Sequence, residues 1–242
     1  MCSSDLNATT LGGTDASAFV AGALSPHWSA SLLGSGNGQG RRDTNGDGWA
    51  DLAGYARGVV RPRFYWDDKN GHTALLTSGF TYEDRNGGTM SGAVLPATGL
   101  PYEEALGTRR YDAGGNVHWL FGGALVATAR FSHSELQHEH TFGEILEHDR
   151  HELSFAEVAI RGTVGPNTWV AGVAGQRDAY RSHDVPRFAY TYTAPGVFLQ
   201  DDIAVTPWLS VSASGRLDSH NVYGTRFSPR IAALLQIGRA HV

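Results

Sequence analysis

Residues 195–235 read PGVFLQDDIAVTPWLSVSASGRLDSHNVYGTRFSPRIAALL. From Leu209 to Asp218 the alternation is strict. Leu209, Val211, Ala213, Gly215 and Leu217 share one side, and Ser210, Ser212, Ser214, Arg216 and Asp218 share the other. Successive side chains of a strand point to opposite sides, so this is a strand with one apolar and one polar face. Thr206-Pro207 makes a turn before it, and His220-Asn221-Val222-Tyr223-Gly224 a loop after it. The fold depends on what the apolar face meets: a protein core or lipid.

The chain has 242 residues, room for one large β domain or two ordinary ones. It is 41% hydrophobic but only 18% charged, a low charged share for a water-soluble domain. The net charge of -5 gives no reason to expect a nucleic-acid partner. No apolar run is long enough for a transmembrane helix. A membrane barrel escapes that test, because only alternate residues face lipid and mean hydropathy stays low.

The two ends read as foreign. MCSSDL (residues 1–6) and IGRAHV (residues 237–242) resemble translations of the two senses of one sequencing adapter. Both are set aside as adapter read-through. Residues 7–236 then form one unit, cut from a longer gene, and Cys2, the lone cysteine, drops out of the chemistry.

Elsewhere the alternation recurs. In residues 55–66, Ala56, Gly58, Val60, Pro62, Phe64 and Trp66 share one face, and Arg57, Arg61, Arg63 and Tyr65 the other. Further strands are expected over 16–24, 28–34, 73–83, 109–120, 124–135, 150–161, 168–177 and 227–235. Connections alternate short and long. The short ones fall near 25–27, 67–72, 121–123, 162–167 and 205–208; the longer ones cover 35–54, 84–107, 136–149, 178–194 and 219–225. Trp28, Trp66, Trp119, Trp169 and Trp208 each lie beside a short connection, and Trp49 alone lies in a long one. Indole favours the membrane–water boundary, so the five read as one aromatic girdle. The pattern predicts an all-β, antiparallel, up-and-down transmembrane β-barrel, with tight turns at one rim and longer loops at the other. About eleven strands fit, and lipid demands closure, so the expectation is part of a larger barrel.

Gly196-Val197-Phe198-Leu199-Gln200-Asp201-Asp202, then Ser214-Gly215-Arg216-Leu217-Asp218, then Phe227-Ser228-Pro229-Arg230 resemble, in that order and spacing, the barrel of TonB-dependent outer-membrane receptors. The resemblance implies a 22-stranded barrel, a plug domain, and energy-coupled import of a scarce ligand such as an iron–siderophore complex, haem or a cobalamin. It also implies outer-membrane lipid as surroundings, and a TonB-type energising complex acting through a plug that this sequence lacks.

Three constellations carry candidate chemistry. Arg57, Arg61, Arg63, Arg216 and Asp218 fall on polar strand faces, which in a barrel line the lumen. There they would meet an anionic ligand or the carboxylates of a plug. Asp43, Asn45, Asp47 and Asp51, with Gly48 at the turn, follow a calcium-loop spacing, but Gly54 stands where a bidentate Glu would complete it. The same residues also suit a plain solvated turn. His133, His138, His140, His148 and His151 crowd one outer connection, and His138 and His140 would share one side of a strand. No nucleophile–base–acid set marks an enzyme. A passive porin-like barrel and a soluble calcium-binding β-sandwich stay open as alternatives.

Overall fold

The computed structural model of the chain describes residues 2–122 and 124–236, so Gly123 and the 237–242 segment set aside above lie outside the described residues. Twelve antiparallel strands form one sheet, each bonded to its neighbour in sequence order. They are β1 Cys2–Ala8, β2 Thr14–Ala23, β3 Trp28–Gln39, β4 Gly54–Asp67, β5 Thr73–Gly88, β6 Glu103–Phe121, β7 Leu125–Phe142, β8 Ile145–Val164, β9 Asn167–Ser182, β10 Tyr190–Thr206, β11 Leu209–His220 and β12 Gly224–Leu235. A single 3-10 turn, Pro186–Phe188, interrupts the connection between β9 and β10.

Two expectations change. The strand count rises from eleven to twelve, because residues 2–8 pair along their whole length with β2, from Cys2 opposite Val20 to Ala8 opposite Thr14. The outer connections also shrink. The stretch 136–149, expected as a loop, is a hairpin: β7 runs through to Phe142 and β8 starts at Ile145. Gly143 turns it with a φ of 63° and donates its N–H to the Glu103 carbonyl at 2.7 Å. Where both faces meet water, no period-two pattern is required, yet the ladder of backbone hydrogen bonds continues.

Register carries the two faces across the sheet. One row runs Val20, Leu32, Pro62, and a neighbouring one Val60, Phe80, Tyr111. Further along, Phe131 opposes Ala156, Val158 opposes Val173, Val173 opposes Val197, Val197 opposes Leu217 and Leu217 opposes Phe227. All of these lie on one apolar face, and its large side chains are exposed: Val158 at 51%, Val173 at 55%, Val197 at 52%. Among the described residues the buried apolar side chains are four alanines, Ala50, Ala159, Ala174 and Ala179. The accessible surface is 15991 Å², against roughly 10,500 Å² for a compact monomer of this size. A β-sandwich hides one face of each sheet against the other. Among the described residues there is one sheet with no second layer, which removes the sandwich reading.

The apolar face is a band with two edges. On β7 it runs from Leu125 to His133 and on β8 from Gly162 to Ser154. At about 3.3 Å per residue and a tilt of about 40° this spans about 20 Å, close to the apolar height of an outer-membrane barrel. Next above it, on the same face, Glu135 opposes Glu152. Arg150 bridges both carboxylates at 2.7 Å, and Arg177 holds Glu152 at 2.8 Å.

Candidate functional site

The polar face collects the arginines singled out in the sequence. Arg61 lies opposite Leu33 and its guanidinium donates to Asp112 at 3.1 Å. Arg57 pairs with Glu83 at 3.5 Å. Arg216, opposite Phe198 and stacked on its ring at 5.8 Å, donates to both oxygens of Asp218 at 2.8 and 2.9 Å. Arg130 and Glu157 add a further pair at 2.8 Å on the same face. Arg63, between Ser31 and Thr77, makes no ion pair among the described residues. Charges are tolerated here because this face need not meet hydrocarbon. Asp201 and Asp202, adjacent in sequence, go to opposite faces, one opposite Trp169 and the other opposite Thr168.

Trp28, Trp66, Trp119 and Trp169 end the apolar face at the rim of short turns, and Trp208 lies in the turn between β10 and β11. Trp28 opposes Trp66 with ring centres 6.4 Å apart, and Trp66 stacks towards Trp119 at 6.4 Å. Trp49, the exception, stacks on Tyr102 at 5.9 Å in the outer connections. At the Trp rim, the turn after β4 is closed by His72, whose ring bonds the Asp68 carboxylate and donates to the Leu120 carbonyl at 3.0 Å. Asp68 loses some solvation, which favours its neutral form. The hydrogen bonds from His72 and from the Asn70 and His72 amides outweigh this and hold its pKa at about 2. The same Asp68 bond raises the pKa of His72.

The Asp43–Asp51 loop is a closed hydrogen-bond system. Asp43 accepts the amides of Gly46 at 2.6 Å and Gly48 at 2.8 Å. These bonds, that of Gly48 first, hold its carboxyl below the usual range. Asp51 accepts the hydroxyl and amide of Thr44, at 2.6 and 2.7 Å, with the same effect on its carboxyl. Asn45 donates to Asp47 at 3.1 Å. Each of these carboxylates accepts at least two N–H or O–H donors, which calcium would have to share or displace.

The five histidines divide between the faces. His133 bonds Ser154 at 2.9 Å, and His148 contacts Asp184 at 3.3 Å; both lie on the continuation of the apolar face. His138, His140 and His151 lie on the polar face. His138 opposes Asp149 and bonds it at 3.0 Å, while His151 bonds Asp178 at 2.8 Å. Around His151 runs an aromatic row absent from the sequence reading. Tyr180 stacks on Tyr190 at 5.8 Å and Tyr190 on Tyr192 at 4.6 Å, and Tyr192 meets His220 and Tyr223 at 5.3 and 6.1 Å. The Tyr190-x-Tyr192 spacing puts two rings on one side of a strand, but it falls in the 178–194 connection expected as a loop, where alternation has no meaning.

No protein-family model and no curated protein matches the chain. Solved structures do. The siderophore receptor PirA from Acinetobacter baumannii matches 98% of this chain at 12% identity with a TM-score of 0.70. The siderophore receptor PirA from Pseudomonas aeruginosa matches 98% at 14% identity and 0.65. FpvA of P. aeruginosa, solved with bound pyoverdine and iron, matches 96% at 12% identity and 0.67. The chain covers 39–40% of these three proteins. It therefore carries part of the barrel fold of siderophore receptors, as expected from its resemblance to the TonB-dependent outer-membrane receptors.

Proposed function

We propose that the chain forms part of the wall of a TonB-dependent outer-membrane receptor that imports an iron–siderophore complex. The observation that carries this reading is the sidedness of the sheet. One face is an uncharged band between a Trp rim and an ionic rim across β6 to β9, and the other is lined by ion pairs. Outer-membrane lipid covers the first. The second faces a lumen holding the plug, through which a TonB-type energising complex acts. Arg63, which makes no ion pair among the described residues, is one cation on this face free to meet an anionic ligand or a plug carboxylate. This is a receptor's role and not an enzyme's.

A passive porin-like barrel shares the wall but not the energy coupling, and uptake separates the two. The reading frame containing this chain is expressed in an outer membrane stripped of its own siderophore receptors, and radio-iron is supplied as a panel of ferric siderophores. Uptake of at least one complex is expected, and a protonophore should abolish it. Uptake indifferent to the protonophore would make the barrel a passive pore.

A further inference from the structure

We infer that His138, His140 and Asp149 form a binding site for a divalent transition-metal ion of the zinc type, on the polar face near the outer end of the β7–β8 hairpin. The inference stands on side-chain geometry and does not require the transport reading.

Among the described residues, this is the one trio of His, Cys, Asp or Glu whose ligand atoms all lie within 4.8 Å of one another. His138 Nδ1 is 3.0 Å from Asp149 Oδ1, and His140 Nε2 is 3.7 Å from Asp149 Oδ2. Donor atoms bound at zinc distances in a tetrahedron lie about 3.3 Å apart, so small side-chain rotations suffice. The backbone arranges this without strain. His138 and His140 are two apart on β7, and Asp149 faces His138 across the ladder.

The surroundings fix the ligands. Tyr180 lies close to Asp149 on the same face of the neighbouring strand, and Phe142 stacks on His140 at 5.8 Å with planes 14° apart. Outer groups that hold a metal ligand's orientation typically raise affinity about 10–100-fold. Glu147 lies directly across from His140 on the same face, so a second carboxylate is near. Two imidazoles with a carboxylate suit zinc, copper and nickel, whereas calcium and magnesium prefer all-oxygen sites. Three protein donors leave a position open for water or for a donor atom of a chelator.

The test is calorimetric titration of the full chain in detergent micelles with Zn²⁺ and with Ca²⁺, alongside visible absorption with Co²⁺. Zinc should bind about a hundredfold more tightly than calcium, and Co²⁺ should give a d–d spectrum with nitrogen ligation. His138→Ala, His140→Ala and Asp149→Asn should each weaken zinc at least about tenfold, and Tyr180→Phe by up to about tenfold. His133→Ala, on the other face, should leave affinity unchanged. Strand content by circular dichroism checks each variant. If an alanine variant fails to fold, His140→Gln, which keeps bulk and polarity, takes its place with the same expected loss. Zinc affinity unchanged in both His138→Ala and Asp149→Asn overturns the site, as does calcium binding as tightly as zinc.

Discussion

Single residues here are constrained mostly by what lies across the ladder. Gly172 sits under the Phe198 ring, and an added Cβ would come within 2.7 Å of the Val158 carbonyl oxygen, which is backbone and cannot give way. Gly172→Ala should therefore cost about 1–3 kcal/mol, read by urea unfolding in detergent. Gly175→Ala, where a Cβ meets open space, should cost far less. His72 offers a test without unfolding. Its ring lies 4.2 Å from Trp119, so indole emission should report its protonation. Its raised pKa means that the contribution of the charged ring is fully present below the ordinary value near 6.5 and is lost as pH rises through the raised one. Asp68, held at about 2, contributes above its ordinary value near 3.9 and loses that contribution only as pH falls through about 2. Trp119 emission should titrate above the ordinary histidine midpoint and return to it in Asp68→Asn; a midpoint indifferent to that change would refute the pairing. Much of this scale was legible. The facing of Arg57, Arg61, Arg63, Arg216 and Asp218 followed from parity alone. The partners Asp112 and Glu83 did not, because a pairing across strands depends on register that one strand's sequence does not contain. Calcium in the Asp43–Asp51 loop is a proposal with a plain test. Calorimetry of the intact barrel at millimolar calcium gives heat if the ion displaces the Gly46 and Gly48 amides from Asp43, and none if those bonds prevail.

Strands were legible where one face is continuously apolar and poorly legible where neither face is. Residues 168–177 alternate because Trp169, Ala171, Val173 and Gly175 occupy the apolar face. The strand continues to Ser182 through Asp178-Ala179-Tyr180-Arg181, where polar side chains fall on both sides, and there the signal fades. The tyrosine row and the His138–Asp149 pairing both lie in such extensions, which is why they were hidden. The same asymmetry predicts how strands respond to charge. Val173→Lys, in the apolar band, should destabilise the folded barrel by about 2–4 kcal/mol at mid-membrane depth. Gln176→Lys, on the opposite face of the same strand, should be nearly neutral. Equal losses at the two positions, measured by heat-modified mobility and denaturant titration, would contradict the assignment of the faces.

For the molecule as a whole, the sheet has twelve strands and two outer edges, on β1 and β12, with no partner strand among the described residues. Free edges and an exposed apolar band both favour association. Residues 7–236 should precipitate without detergent and should show strand content in micelles; a cooperative monomer in plain buffer would sink the membrane reading. The general architecture was legible from the rhythm of turns and tryptophans, whereas the extra strand was not: most of β1 lies in residues 1–6, set aside as adapter read-through, and Leu6 is its only large apolar residue. The ionic rim above the apolar band has a mechanical consequence. In the proposed outer-membrane setting, Arg150 and Arg177, tied to Glu135 and Glu152, would act as a waterline on a hull. Sinking the wall by one pleat would drag those charges into hydrocarbon, and raising it would lift the Trp rim out of its boundary. A tug applied along the membrane normal from the periplasmic side would meet a wall moored at both edges, so the load would fall on whatever lies inside it.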